Sequence, residues 1–233
     1  MNAIITGASR GLGKAIAEIF AANGHNLYLT SLSERKLYDA TQDLMMRFPG
    51  ITIKAKPFDL SEKQQAKDFG KWILNFEVTI DILVNNAGSF TGRNIHDEEE
   101  GALEEMIETN LYSVYHLTRV LLPQMIRQQR GHIFNMSSVA GLKAYPGGGS
   151  YSISKFALHG FSINLREELK PHSIKVTTVF PGAAYTDSWA NSGIKKERFM
   201  QAADIAKMVF AASQLSPSAC VEDIILRPQL GDI

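Results

Sequence analysis

Ala3-Ile4-Ile5-Thr6-Gly7-Ala8-Ser9-Arg10-Gly11-Leu12-Gly13-Lys14 is the stretch from which the fold can be read. Ile4-Ile5 forms the core of a short buried strand, and Gly7, Gly11 and Gly13 follow it. Lys14 to Ala22 then carries Ala15, Ile16, Ile19 and Phe20 on one apolar face at helical spacing, and Gly24 closes that helix. Strand, glycine turn and helix in this order are the setting that a dinucleotide fingerprint requires. Gly7 permits the tight turn, and Gly11 lets the backbone approach a pyrophosphate. Gly13 lets helix and strand pack closely, while the helix N-terminus faces the phosphates. The spacing is G-x-x-x-G-x-G, not G-x-G-x-x-G. It is the flanking strand and helix that separate it from an ordinary glycine-rich turn.

The chain continues as alternating strands and helices. Leu27 to Thr30 is the second strand, and the residue at its end is the one that reads an adenosine ribose. An acid there favours NAD, whereas a nearby arginine accommodates the 2′-phosphate of NADP. Ser31 and Leu32 offer no acid, and Arg10 lies in the glycine turn, with Arg35 and Lys36 as further cations. NADP(H) is therefore the expected cofactor, with NAD(H) the alternative. Glu34 to Arg47 reads as a helix ended by Phe48-Pro49-Gly50. Ile51 to Ala55 reads as a strand leading to Asp59-Leu60, and Ser61 is the expected cap of a helix running through Phe76. Ile80 to Val84 is a buried strand ending in Asn85-Asn86-Ala87-Gly88, which puts amides at the crevice where α/β sheets bind ligands.

Asp97 to Glu100 reads as a solvated helix start. A long helix is expected from Leu103 to Gln128, with Leu111, Val114, Thr118, Leu121 and Met125 on its packing face. Asn110 interrupts that face, as a polar residue able to bend a helix. Gly131 to Met136 is a strand delivering Ser137-Ser138. The Pro146-Gly147-Gly148-Gly149 loop and a helix from Tyr151 to Lys170 come next. Ile174 to Val179 runs into Pro181-Gly182-Ala183-Ala184-Tyr185-Thr186. Trp189 to Met200 lies where a short lid is expected. Ala203 to Gln214 is a helix, and Val221 to Leu226 a final strand.

Tyr151 and Lys155 lie four residues apart, so on a helix they share one face. An ammonium beside a phenol favours the phenolate and is expected to lower the tyrosine pKa. A tyrosine so tuned exchanges a proton with a carbonyl or alcohol oxygen near neutral pH, and the Ser138 hydroxyl would hold the same oxygen. Composition narrows the classes. The 233 residues suit one α/β domain, 1–233, and the net charge of zero gives no basic stripe for nucleic acid. A single cysteine, Cys220, forbids an intrachain disulfide and suits a cytoplasmic setting. No apolar run reaches bilayer-spanning length and the N-terminus lacks a leader pattern, so no membrane attachment is expected. The six histidines show no metal spacing, so no metal is expected, and no G-x-S-x-G elbow makes Ser138 an acyl nucleophile.

In their order and spacing, Thr6-Gly7-Ala8-Ser9-Arg10-Gly11-Leu12-Gly13, Asp59-Leu60, Asn85-Asn86-Ala87-Gly88, Asn110, Ser138, Tyr151/Lys155 and Pro181-Gly182…Thr186 resemble the short-chain dehydrogenase/reductase family over nearly the whole chain. The resemblance implies a Rossmann-type, doubly wound, seven-stranded parallel sheet and a homodimer or homotetramer packed through the two long helices. It implies Tyr151 as general acid/base, Lys155 as the group that lowers its pKa and holds the nicotinamide ribose, Ser138 as holder of the substrate oxygen, and Asn110 as anchor of a relay water. Asp59 and Leu60 would contact adenine and Asn86 the adenosine side. The main chain at Ala184 and the Thr186 hydroxyl would hold the carboxamide. Gly7, Ser9, Arg10, Gly11, Leu12, Gly13, Ser31, Ala87, Gly88, Pro181 and Gly182 complete the cofactor set. The implied reaction is reduction of a small-molecule carbonyl to an alcohol.

The C-terminal Glu222-Asp223-Ile224-Ile225-Leu226-Arg227-Pro228-Gln229-Leu230-Gly231-Asp232-Ile233 lacks the Val-Asp-Gly-Gly ending common in acyl-carrier-protein reductases of the family. Together with the segment 181–189 it is more similar to bacterial sepiapterin-reductase-type members. A 3-oxoacyl thioester reductase is the rival enzyme, for which Lys195, Lys196 and Arg198 offer a basic patch. A catalytically silent dinucleotide-binding sensor or scaffold is the rival from another class. The intact Asn110-Ser138-Tyr151-Lys155 set speaks against it.

Overall fold

The computed structural model describes residues 1–186 and 193–233. Trp189, at the start of the expected lid, lies outside the described residues. Seven parallel strands form one sheet: β1 (Asn2–Thr6), β2 (Asn26–Thr30), β3 (Ile53–Ala55), β4 (Ile82–Asn85), β5 (Gly131–Met136), β6 (Ile174–Pro181) and β7 (Asp223–Leu226), in the order β3-β2-β1-β4-β5-β6-β7. Successive side chains on a strand point to opposite faces, and in the central strands both faces are buried. Ile5, Leu29, Val84 and Phe134 thus pack on α1 (Gly11–Ala22), α2 (Glu34–Arg47) and α7 (Ala202–Ser213). Their neighbours Ile4, Tyr28, Leu83 and Ile133 pack on the opposite layer, α3 (Lys63–Leu74), α5 (Ser113–Gln128) and α6 (Gly149–Leu169). The strand order reverses between β1 and β4, and the crevice at that switch point is where such sheets bind ligands.

Three local readings are corrected. The expected helix 103–128 is α4 (Ala102–Ile107) and α5 joined by a π turn, Glu108–Tyr112, whose buried residue is Asn110. One extra residue per turn places the amide between neighbouring elements, where regular helix would not. Ser61 does not cap α3: its hydroxyl and N–H both donate to Asp59 Oδ1, at 2.6 and 3.0 Å, and Glu62 precedes the helix without capping it by its side chain. The run Asp97–Glu100 does not begin a helix in solvent. Gly101, in left-handed backbone, starts α4, and Glu98 turns back to α6.

Candidate active site

The turns after β1 and β4 are stitched together at the switch point. Thr6 Oγ1 accepts from the N–H groups of Asn86 and Ala87, both at 2.9 Å, and Asn86 Nδ2 donates to the carbonyls of Thr6 and Gly7 at 3.0 and 3.2 Å. Asn86 therefore braces the glycine turn with the very amide assigned to the adenosine side. The glycines are sterically required. A Cβ on Gly13 would fall 2.2 Å from the Gly7 carbonyl oxygen, and Gly7 itself takes φ 63°. A Cβ on Gly11 would fall 3.3 Å from the Thr186 methyl, so glycine there keeps a groove open between the turn after β1 and the loop after β6. Arg10 at the N-cap does not cap the first turn of α1 with its side chain, and N–H groups at such a turn suit an anion. This cradle fits the pyrophosphate of a dinucleotide.

Around it, Arg10 stands exposed at the N-cap of α1, and Ser31 is buried at the end of β2 with its hydroxyl turned to the Ser33 carbonyl. Arg35 and Lys36 lie in the exposed first turn of α2, where Ser33 Oγ accepts from Lys36 N. Asp59 is held by Ser61. The Leu60 side chain packs into the core, so only its main chain is left to meet an adenine.

The catalytic candidates converge from the π turn, the end of β5 and α6. Ser138 follows β5, its Oγ accepting from Ala140 N at 3.1 Å, and its hydroxyl acts on the Tyr151 phenol, favouring the phenolate. Lys155 lies one turn on, 5 % exposed; its ammonium donates to the Met136 carbonyl at 2.9 Å and sits 5.7 Å from the Tyr151 ring centre. Asn110 is fully buried. Its Oδ1 accepts from Ser89 N at 2.9 Å, and its Nδ2 donates to the Ser89 carbonyl at 3.1 Å and to Ser154 Oγ at 3.0 Å. A Cβ on Gly88 would fall 2.8 Å from Asn110 Oδ1 and 3.5 Å from Lys155 Nζ, so those three residues meet at one point.

The charge states differ from the expectation that Lys155 lowers the Tyr151 pKa. Burial raises the Tyr151 phenol above its ordinary value, and the Ser138 hydrogen bond opposes it. Burial also pushes Lys155 down to about 8. The ammonium is aimed at a carbonyl, and withdrawal from water disfavours the charged form of both groups. The tyrosine is therefore a protonated acid at neutral pH.

Sequence reasoning missed Phe90, Ser154, Asn135 and Glu98, and named Asn85 without its buried partners. Phe90 packs edge-on against Tyr151 with ring centres 4.8 Å apart. Ser154 fixes Asn110. Asn85 donates to Asn135 Oδ1 at 2.8 Å, and Asn135 donates to Ser162 Oγ at 2.9 Å, a buried polar thread joining β4, β5 and α6. Glu98 holds the start of α6. Only Ser154, three residues after Tyr151 on the same helix, carried a local signal. A cleft of about 560 Å³, lined by Asn94, Ile95, Tyr145, Ser152 and Phe156 among others, has none of the four catalytic candidates in its wall.

Comparison with known proteins agrees with this geometry. The family model for short chain dehydrogenases matches residues 1–197. Dehydrogenase/reductase SDR family member 7B of Xenopus laevis is 38 % identical over 193 residues, which are 81 % of this chain and 60 % of the frog protein. The chain thus spans less than two thirds of that relative. An "uncharacterized oxidoreductase" of Staphylococcus epidermidis is 29 % identical over 97 % of this chain and 96 % of its own. Among solved structures, an alcohol dehydrogenase from the archaeon Thermococcus sibiricus complexed with 5-hydroxy-NADP superposes with a TM-score of 0.89 at 28 % identity, covering 98 % of this chain and 96 % of that one. A metagenomic short-chain oxidoreductase in complex with NADP gives 0.85 at 30 %, covering 98 % and 97 %. The chain belongs to the short-chain dehydrogenase/reductase family of oxidoreductases.

Proposed function

We propose that this chain is an NADP(H)-dependent carbonyl reductase acting on a ketone or aldehyde of a small molecule. The observation that carries the reading is the set Ser138, Tyr151 and buried Lys155 beside a glycine turn shaped for a pyrophosphate. When bound, the nicotinamide would supply the hydride. The substrate oxygen would lie against the Ser138 and Tyr151 hydroxyls, Ser138 holding it and Tyr151 giving it a proton as negative charge develops. Lys155, with Asn110 behind it, would hold the ribose and return a proton to Tyr151. Thr186 would orient the carboxamide across the groove from Gly11. The 2′-phosphate would be read by Arg10, since β2 ends in Ser31 and Leu32 without an acid. The NADP-bound relatives support the same choice.

The test is titration with NADPH and NADH, followed by nicotinamide fluorescence, then a panel of carbonyls monitored by NADPH consumption. NADPH binding at least about tenfold tighter is expected, a gap of about 1.4 kcal/mol, narrowing in Arg10→Ala. Preference for NADH, or turnover of no carbonyl by a chain that binds NADPH, contradicts the reading.

A further inference from the structure

Glu98 lies in the loop after β4, far in sequence from the catalytic helix, yet its carboxylate takes two hydrogen bonds from Ser150. The main-chain N–H donates to Oε1 at 2.7 Å and the hydroxyl to Oε2 at 2.5 Å. Ser150 is 2 % exposed and immediately precedes Tyr151 in the first turn of α6. That helix follows Pro146-Gly147-Gly148-Gly149, and Gly148 at its N-cap provides no side-chain acceptor. Glycines of this kind do not fix the direction in which a helix leaves a loop. The acceptor is instead borrowed from another segment, and an anion at a helix N-terminus also meets the favourable end of the dipole.

The approach is close. A Cβ on Gly149, which takes φ 35°, would fall 2.2 Å from Glu98 Oε1 and 2.5 Å from the Arg93 carbonyl oxygen. The same loop touches the machinery at three more points. Asn94 Oδ1 accepts from Gly147 N at 2.9 Å, Ser89 takes both ends of the Asn110 amide, and the Phe90 ring stands against Tyr151. The Ser150 hydrogen bonds hold the Glu98 carboxyl below its ordinary range, so it stays ionised in the neutral range.

We propose that Glu98 is a positioning residue for Tyr151, its carboxylate capping α6 through Ser150 and so fixing where the phenol sits. The loop 89–98 is then a bracket that sets Asn110 and Tyr151 relative to each other. This rests on the reading of Tyr151 as the proton donor.

The test uses the full chain and needs no substrate. Main-chain hydrogen exchange of the segment 148–154 and the ring resonance of Tyr151, assigned by its loss in Tyr151→Phe, are compared in wild type, Glu98→Ala, Glu98→Gln and Ser150→Ala. Exchange about tenfold faster in 148–154 is expected in Glu98→Ala, with the Tyr151 resonance displaced and α7 unchanged. Glu98→Gln keeps an acceptor for Ser150 N–H and is expected to recover most of both. Gly149→Ala also meets the Arg93 carbonyl and is expected to disturb 148–154 in either case. Ser150→Ala, which removes only the hydroxyl donor to Oε2, therefore decides the matter if Glu98→Ala does not fold: part of the Glu98→Ala change is expected. An unmoved Tyr151 resonance with unchanged exchange in Glu98→Ala, or in Ser150→Ala where the former does not fold, overturns the proposal. Turnover retained in Tyr151→Phe would instead defeat the catalytic reading and leave this result standing, so the two failures are separable.

Discussion

At Tyr151 two influences act on one phenol. Burial raises its pKa and the hydrogen bond from Ser138 lowers it, with burial the larger. A raised value keeps the proton on through neutral pH, which suits donation to a carbonyl. Reduction should therefore hold across the neutral range and fall on the alkaline side, whereas alcohol oxidation, which needs the phenolate, should rise with pH. Because the Ser138 bond favours the phenolate, Ser138→Ala should move the alkaline limb higher while lowering turnover. Profiles of kcat against pH in both directions check this; a reductive rate that rises with pH contradicts it. The residues involved were legible from spacing alone, since Tyr151 and Lys155 must share a helical face. Their charge states were not, because nothing in a four-residue spacing says that both groups are withdrawn from water or that the ammonium turns to the Met136 carbonyl.

Among the elements, β5 leads into Ser138 and carries a titratable group near its start. His132 is 4 % exposed, stacked on Phe134 at 3.9 Å, with Nε2 and Thr177 Oγ1 2.7 Å apart. Burial pushes its pKa down to about 3, against an ordinary value of about 6.5 in the unfolded chain. Between those values the unfolded chain binds the proton and the folded chain does not. Stability from this group is thus complete above about 6.5 and is lost as pH falls toward 3. Urea unfolding at neutral pH and near pH 5 should show that loss, on the order of a kcal/mol or more, and His132→Phe should weaken the dependence. An unchanged acid slope in that variant contradicts the assignment. Short apolar runs made the strands readable and helical spacing most of the helices, and Glu34–Arg47 and Gly131–Met136 match to the residue. The π turn at Glu108–Tyr112 was not readable, since apolar positions on either side keep a helical rhythm through one extra residue. Glu98 was misread for a different reason: a run of acids resembles a solvated helix start, and its partner Ser150 lies on another element.

For the whole molecule, helices on both faces of the sheet leave α5 and α6 with apolar outer positions. Tyr112, just before α5, and Tyr115 on it are exposed, as are Ile153, Phe156 and Ile163 on α6, and no helix of the described residues is long and apolar enough to cross a membrane. Ile153, Phe156 and Ile163 recur at three and seven residues, one stripe of the helix. The expected assembly is a homodimer or homotetramer through these helices. Light scattering should give at least twice the chain mass for wild type and a smaller species for Phe156→Glu/Ile163→Glu; a monomeric wild type contradicts it. Across the molecule the sheet order, the glycine cradle and the Ser138–Tyr151 pair meet at one crevice, and the central claim is that proton transfer to a carbonyl occurs there from Tyr151. The measurement that bears on it most directly is NADPH affinity and NADPH-dependent carbonyl turnover in wild type and Tyr151→Phe. Unchanged affinity with turnover lower by about 10²–10⁴-fold is the predicted result, and turnover near the wild-type rate in the variant would contradict it.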